Sequence, residues 1–230
     1  MWNVASLPPD VTGADVHVWC ASIDHPAAVV RALSEVLSAD EQERAGRFRF
    51  ERDRGRFIVA RAVLREILGQ CVGRDPRKLS FQYGRYGKPE LAAESGAGHI
   101  AFNVSHSQDR ALFAVARGRK VGIDLEFIKP LDDLRLMAER CFSARVNAEL
   151  RSLPADRVVA GFYAHWTRKE ALHKAIGHGL SAPPDESDVP VGANEGDHWS
   201  LIGLDPYPDF AAALAVEGRN WRLRTWRWPL

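Results

Sequence analysis

Two carboxylates stand two residues apart in the segment 120–128, KVGIDLEFI, as Asp124 and Glu126. Residues at this spacing in a β-strand share one face and lie about 6.7 Å apart along the chain. The two side chains would therefore point the same way, with Ile123 and Leu125 facing a core. Like charges so placed repel, and Mg²⁺, which prefers oxygen ligands, would relieve the repulsion. An isolated Asp-x-Glu is more often a pair of solvated acids on an exposed strand edge.

A second set of residues that could bind a ligand or act in catalysis lies on a predicted helix within 162–176. Trp166, Glu170 and Lys174 follow one another at four-residue intervals and so share one helix face. The commoner meaning of Glu170 followed by Lys174 is an exposed ion pair, worth about 0.3–0.5 kcal/mol, and a tryptophan on such a face more often packs than binds. If Glu170 instead joined the two strand carboxylates, the three would complete a magnesium site and leave Lys174 to contact a phosphate.

Ser105 and His106 close the predicted strand of AFNVSHSQ, residues 101–108. Adjacent strand residues face opposite ways, so His106 is poorly placed to activate Ser105, and the sequence has no Gly-x-Ser-x-Gly elbow. A hydroxyl and an imidazole there could instead bind a phosphate, or the pair could form a capped turn with a satisfied histidine. Lys88, in the Gly/Pro turn at 85–89, is either a solvated tip or a phosphate contact. The chain has neither a Walker A motif nor Gly-x-Gly-x-x-Gly.

Hydrophobic periodicity predicts the elements that must hold these residues. A capping box formed by Ser38 and Glu41 predicts a helix that begins near residue 39. Further helices are predicted over 56–73, 132–152 and 158–176, the first with Gly69 as its expected terminator. Strands are predicted at 14–23, 99–104, 111–116 and 121–127, the last three joined by short polar turns as in antiparallel hairpins. A Pro/Gly/Asp-rich loop at 179–197 precedes strand-like segments at 198–204, 210–218 and 221–228.

This order of elements indicates an α+β protein, in which each half has helices followed by a small antiparallel sheet. The halves would meet near residue 116, giving 1–116 and 117–230, although the sequence shows no internal repeat. The bulk properties fit a folded globular chain of 230 residues with 46% hydrophobic and 27% charged residues. The formal net charge of +1 gives no global reason to expect a nucleic-acid or membrane partner.

The cysteines and the N-terminus indicate a reducing compartment. Cys20, Cys71 and Cys141 are widely spaced, without a Cys-x-x-Cys motif, so they suggest neither a disulfide framework nor a zinc site. The first residues lack the pattern of a signal peptide, and no apolar run is long enough to span a bilayer. We therefore expect a cytoplasmic protein. Arginine is concentrated in 44–65 and could meet an anion there, although solvated arginines on an exposed helix face are more frequent.

Four motifs in register resemble the surfactin-type 4′-phosphopantetheinyl transferases. That family carries a Gly-Lys-Pro turn, then Phe-Asn-(Ile/Val)-Ser-His-Ser, then (Val/Ile)-Gly-Ile-Asp-(hydrophobic)-Glu, then Trp-x-x-Lys-Glu-Ala-x-x-Lys-x-x-Gly-x-Gly-Leu. This chain has, in the same order, GKP at 87–89, FNVSHS at 102–107, VGIDLE at 121–126 and WTRKEALHKAIGHGL at 166–180. The resemblance covers roughly residues 38–180, and the length near 230 residues also agrees.

The resemblance implies two pseudo-symmetric halves with the active site in the cleft between them. Residues 1–116 would contact the phosphates and adenosine of coenzyme A, and 117–230 would carry the magnesium and catalytic residues. The metal ligands implied by the family pattern are Asp124, Glu126 and Glu170, which would hold Mg²⁺ on the pyrophosphate of coenzyme A. Glu170 would also help to deprotonate an acceptor serine through a water. Lys174 would neutralise charge on the bridging phosphate oxygen.

The same resemblance assigns the coenzyme contacts. Lys88, Ser105 and His106 would contact phosphates, Arg56 would lie near the adenosine phosphate, and Arg44 would be one of two basic residues in the preceding helix.

The sequence also departs from its relatives. Glu41 stands at the second basic position, so the clamp on the 3′-phosphate is expected to be weaker or rearranged. His173 replaces a residue that is aliphatic in many relatives, which matters little if it faces away from the site.

The activity implied is transfer of the 4′-phosphopantetheine group to a serine of an apo acyl or peptidyl carrier protein, with release of 3′,5′-adenosine bisphosphate. Two fused halves would complete the site without a second chain, so a monomer is expected. Two alternatives stay open. A metal-dependent phosphohydrolase could use the same carboxylates with a water nucleophile, and a non-catalytic coenzyme A-binding module could keep the cleft without turnover. The sequence does not choose among fatty-acid, polyketide and nonribosomal peptide carrier proteins.

Overall fold

The computed structural model describes residues 2–4, 10–84, 87–95, 99–177 and 198–229. Its helices are α1 (Ala27–Ser34), α2 (Ala39–Gly46), α3 (Glu51–Val72), α4 (Leu134–Cys141), α5 (Ala144–Ser152) and α6 (Ala155–Ile176). Its strands are β1 (Asn3–Val4), β2 (Asp15–Ser22), β3 (Phe81–Tyr83), β4 (Pro89–Leu91), β5 (Ile100–Ser107), β6 (Arg110–Arg117), β7 (Val121–Phe127), β8 (Trp199–Leu204), β9 (Phe210–Glu217) and β10 (Arg222–Arg227). No helix in these ranges is long and apolar enough to cross a membrane. The predicted loop at 179–197 lies outside the described residues.

Two sheets stack between helices α3 and α6, which gives four layers. The first sheet contains β2, β5 and β6 and lies next to α3, and the second contains β7, β8 and β9 and lies next to α6. Alternation along the strands of the first sheet decides which layer each side chain meets. Trp19 and Phe113 pack against α3 in one buried cluster. Val18 and Leu112 face the opposite way, into a cluster shared with Ile123 of the second sheet. The far side of the second sheet packs on α6. The predicted α+β class is confirmed.

The sheet order corrects one feature of the predicted halves. The three-stranded sheet, β7-β9-β8, is antiparallel, but the five-stranded sheet has the order β1-β10-β2-β6-β5 and is mixed. Its strand β10 comes from the end of the chain and runs parallel to β2. The last strand of 117–230 therefore completes the sheet of 1–116. Arg222 and Arg224 both donate to the buried carboxylate of Asp15 on β2, which fixes that register across the chain.

The hairpin prediction holds for one of its two turns. Strands β5 and β6 pair antiparallel through a short turn, as expected. Strand β7 does not continue this sheet and instead pairs with β9. Short polar separators fix only a change of direction, so they could not reveal that the chain changes sheets between β6 and β7.

Helix ends follow their caps, with three corrections. The Ser38–Glu41 capping box is present at the start of α2. Helix α3 ends at Gly73, which has a left-handed φ of 66°, and not at Gly69. A Cβ at residue 69 would lie 2.8 Å from the Arg74 carbonyl oxygen, so that glycine allows the chain to return close to the helix. The predicted helix over 132–152 is two helices, divided where Ser143 caps α5, and α6 begins earlier than expected, at residue 155.

Candidate active site

Strand β7 places Asp124 in the interior between the strand and α6. Its side chain is buried, with 3% of the residue exposed, so Asp124 is not a solvated acid on a strand edge. Oδ1 accepts hydrogen bonds from Ser105 Oγ at 3.0 Å and from Lys174 Nζ at 2.6 Å. Oδ2 is buried and has no hydrogen-bond partner among the described residues. A buried carboxylate oxygen in this condition is ready to accept a cation.

Glu126 and Glu170 complete a set of three carboxylates. Glu126 lies two residues along the same face of β7, and Ser107 Oγ donates to its Oε2 at 3.2 Å. Burial raises the pKa of Glu126, and the negative charge of Asp124 raises it further. Burial likewise raises the pKa of Glu170 on α6, again with Asp124 as the next cause. The charge of Asp124 therefore disfavours the ionisation of both glutamates, as expected for carboxylates near one site.

A close contact between α6 and β7 brings the helix residues to the strand. Gly122 makes the approach possible, because a Cβ there would lie 2.0 Å from the Ala171 carbonyl oxygen and 2.4 Å from the Ala175 nitrogen. Lys174 Nζ reaches Asp124 as described above and also lies 3.0 Å from Ser105 Oγ. Trp166 stacks on Phe162 in the cluster beneath α4 and α5, and its hydrogen bond to Glu126 offsets a small part of the rise in the pKa of that carboxyl.

The donor set suits a hard divalent cation. All three groups offer carboxylate oxygens, which Mg²⁺ prefers, and Lys174 already supplies positive charge to one of them. Within the described ranges, no group of three or more His, Cys, Asp or Glu side chains is arranged closely enough to hold a metal ion as it stands. Coordination by all three carboxylates therefore requires a side chain to move.

A cavity of about 560 Å³ lies on the other side of β5. Arg44, Arg56, Arg61 and His106 line it, together with apolar side chains from α3. Arg56 donates to Asp24 at 2.7 Å. Desolvation by the surrounding protein lowers the pKa of His106, and the positive charges of Lys174 and Arg56 act in the same direction. Three arginines against one carboxylate, that of Asp53, give the cavity a positive lining that suits an anionic ligand.

Two of the predicted phosphate contacts lie away from this cavity. Ser105 and His106 face opposite ways along β5, so His106 lines the cavity whereas Ser105 points to Asp124. Lys88 follows the turn into β4, and its Nζ donates to the backbone carbonyl of Lys174 at 2.6 Å and to that of Val121 at 3.4 Å. Its ammonium thus lies at the end of α6.

Glu41 has a structural role that its position in the sequence did not reveal. It is buried, with 1% exposed, and accepts from Arg61 and from Arg65, the latter at 2.5 Å. Burial acts to raise the pKa of Glu41, but the hydrogen bonds and charges of Arg65 and Arg61 outweigh it and lower that pKa. Glu41 thereby fixes Arg61 above the Phe81 ring, with Cζ 4.1 Å from its centroid, at the cavity wall.

Sequence reasoning missed two other residues of the site and left the orientation of a third open. Arg61 was hidden among the many arginines of α3. Ser107 carried a usable signal, because it lies two residues after Ser105 and so shares its face of β5. His173 does not face solvent: 4% of it is exposed, and its Nδ1 lies 4.0 Å from Glu170 Oε1.

Buried Asp124 with half-buried Glu126 and Glu170, near a cavity lined by arginines, is an arrangement suited to a phosphorylated ligand. Comparison with known proteins identifies the family. Residues 120–224 match the sequence model described as the 4′-phosphopantetheinyl transferase superfamily, and 24–117 match that described as 4′-phosphopantetheinyl transferase, N-terminal. The chain belongs to the 4′-phosphopantetheinyl transferase family.

Two relatives matched by sequence agree with this assignment. The chain is 38% identical over 229 residues to the 4′-phosphopantetheinyl transferase HetI of Nostoc sp., covering 96% of each chain. It is 32% identical over 159 residues to a 4′-phosphopantetheinyl transferase of Bacillus subtilis, covering 68% of this chain and 67% of that one. A solved holo-(acyl-carrier-protein) synthase from Bacillus anthracis, in complex with coenzyme A, is 20% identical and covers 43% of this chain and 95% of its own, with a TM-score of 0.35.

Proposed function

We propose that the protein transfers the 4′-phosphopantetheine group of coenzyme A to a serine of an apo acyl or peptidyl carrier protein. The reaction is magnesium-dependent and releases 3′,5′-adenosine bisphosphate. One observation carries the proposal. Asp124 is buried, one of its oxygens has no hydrogen-bond partner in the described part of the chain, the other accepts from Lys174, and the two neighbouring carboxyls, Glu126 and Glu170, have raised pKa values. Membership of the 4′-phosphopantetheinyl transferase family supports it.

The coenzyme is held by the cationic cavity in this proposal. Arg44, Arg56 and His106 come from 1–116 and bind its phosphates, and Arg61 adds a fourth cationic or donor group. The magnesium and catalytic residues come from 117–230. Binding energy at the phosphates orients the pyrophosphate against the carboxylate cluster, and positioning of this kind supplies much of the catalysis in phosphoryl transfer.

The chain's own residues then move the proton and neutralise charge. The carrier serine oxygen bonds to the β-phosphorus as the bond to the bridging oxygen breaks. Glu170 accepts the serine proton through a water. Lys174 neutralises the bridging oxygen of the departing adenosine bisphosphate. Mg²⁺ held by Asp124, Glu126 and Glu170 would polarise the phosphate oxygens and offset their charge.

Intact-mass spectrometry of an apo carrier protein, incubated with this protein, coenzyme A and Mg²⁺, tests the proposal. We expect a gain of one phosphopantetheine group that disappears with EDTA or with Asp124→Ala. Glu170→Gln should keep the fold and coenzyme binding while losing transfer, and Glu139→Gln, at an exposed ion pair on α4, is the matched control. Hydrolysis of coenzyme A to 4′-phosphopantetheine and 3′,5′-adenosine bisphosphate without a carrier would instead favour a phosphohydrolase. Coenzyme binding without transfer to any of several carriers would favour a binding module.

A further inference from the structure

Strand β5 meets β7 through side chains in place of a backbone ladder. Three alternate residues of β5 each accept a hydrogen bond from a backbone N–H of β7. The pairs are Asn103 Oδ1 with Ile123 N at 2.8 Å, Ser105 Oγ with Leu125 N at 3.2 Å and Ser107 Oγ with Phe127 N at 3.1 Å. We call these three contacts the side-chain ladder.

The side-chain ladder satisfies an edge that would otherwise be costly. Strand β7 is at the end of its own sheet, where every second N–H lacks a partner strand. Ile123 and Leu125 are buried, so unpaired N–H groups there would each lose the hydrogen bond that water gives them when unfolded. The ladder thereby joins the two sheets next to the carboxylates.

Two of the three ladder residues also hold a carboxylate. A serine hydroxyl has one proton to donate and two lone pairs with which to accept. Ser105 Oγ accepts from Leu125 N and donates to Asp124, and Ser107 Oγ accepts from Phe127 N and donates to Glu126. Asn103 accepts from the strand alone among the hydrogen bonds identified. Each serine hydroxyl thus holds one carboxylate in a fixed orientation relative to the backbone of β7.

We propose that Ser105 and Ser107 are positioning residues that orient Asp124 and Glu126 for Mg²⁺, whereas Asn103 serves only the junction between the sheets. The inference rests on the proposed function and gives Ser105 a role toward Asp124 in addition to the phosphate contact expected of it. Hydrogen bonds that orient metal ligands in this way commonly change metal affinity by about 10–100-fold when removed.

Ser107 is the residue to test, because Ser105 also contacts Lys174. Isothermal titration calorimetry measures Mg²⁺ binding to the protein saturated with coenzyme A, and coenzyme binding in EDTA is measured separately. We expect Ser107→Ala to raise the magnesium Kd about 10-fold or more, with coenzyme affinity in EDTA unchanged. Ser107→Thr keeps the hydroxyl and should restore magnesium affinity. If Ser107→Ala does not fold, Ser107→Cys, with its weaker donor and acceptor, should give an intermediate Kd.

Asn103→Ala is the matched control within the same ladder. It removes the one ladder contact that holds no carboxylate, between Asn103 and Ile123 N. The midpoint of thermal unfolding should therefore fall while the magnesium Kd stays unchanged. Wild-type magnesium affinity in Ser107→Ala, or an equal loss in Asn103→Ala, would overturn the positioning role while leaving the proposed function intact. A wild-type protein that binds no Mg²⁺ would overturn the magnesium site and this inference with it.

Discussion

Replacing Gly122 by alanine tests the contact that assembles the site. The added Cβ would lie 2.0 Å from the Ala171 carbonyl oxygen, whereas ordinary contact begins near 3.4 Å. The obstruction is the backbone of α6, which cannot rotate away as a side chain can, so the helix must withdraw by about 1.4 Å. Overpacking of a core typically costs about 1–3 kcal/mol, and we expect the upper end. For a chain of this size that corresponds to a fall of roughly 6–12 °C in Tm.

The same displacement should reach the chemistry, because Glu170 and Lys174 flank Ala171 and Ala175 on α6. A misplacement of about 1 Å can cost about 100-fold in rate. Thermal unfolding followed by circular dichroism and the carrier mass assay measure the two effects on one preparation. Gly203→Ala on β8 is the control, since its Cβ would lie 3.5 Å from Arg168 Nη2 at the nearest. A Gly122→Ala protein with wild-type Tm and rate would refute the close-contact argument.

Three further outcomes follow from single residues. Burial and Asp124 raise the pKa of Glu126 from 4.5, so the folded state holds this proton more tightly and stability falls as pH rises above 4.5. Glu126→Gln should therefore raise Tm in EDTA at pH 7. Arg56→Ala should weaken coenzyme A binding by about 10–150-fold, as expected for about 1.5–3 kcal/mol from one charge-assisted hydrogen bond, with little change in kcat. Glu41→Gln removes the negative charge that Arg61 and Arg65 share in the interior, which should destabilise the fold by about 3–5 kcal/mol.

Each of these three predictions can be contradicted by a specific result. A Glu126→Gln protein that melts below the wild type in EDTA at pH 7 would show that the carboxylate is not penalised there. An Arg56→Ala protein with unchanged coenzyme Kd and a reduced kcat would remove Arg56 from the phosphate contacts. Urea unfolding of Glu41→Gln at the wild-type midpoint would contradict the buried ion pair, and Glu43→Gln, in an exposed pair, is its control.

The local geometry of strands and helices explains why so much of the candidate site could be predicted. Asp124 and Glu126 share a face because side chains alternate along a strand, and Glu170 and Lys174 share one because a helix repeats every 3.6 residues. The capping box at Ser38 is equally local. Such features depend only on neighbours within a few residues, so spacing alone gives them.

Contacts between distant segments could not be predicted in this way. Strand β10 joins the sheet of β2 through residues about 207 positions apart, such as Arg222 and Asp15. Glu41 is a buried anchor only because Arg61 and Arg65, one turn apart on helix α3, converge on it. Spacing within one segment carries no information about which other segment it meets.

The sequence by itself determined which residues can do chemistry and which of them share a face. The tertiary structure alone decided where each face points. It turned Ser105 to Asp124 and His106 to the cavity, and it placed Lys88 at the end of α6. The physical reason is that periodicity fixes the relative directions of side chains within an element, whereas burial, sheet pairing and the contact at Gly122 fix the element itself in space.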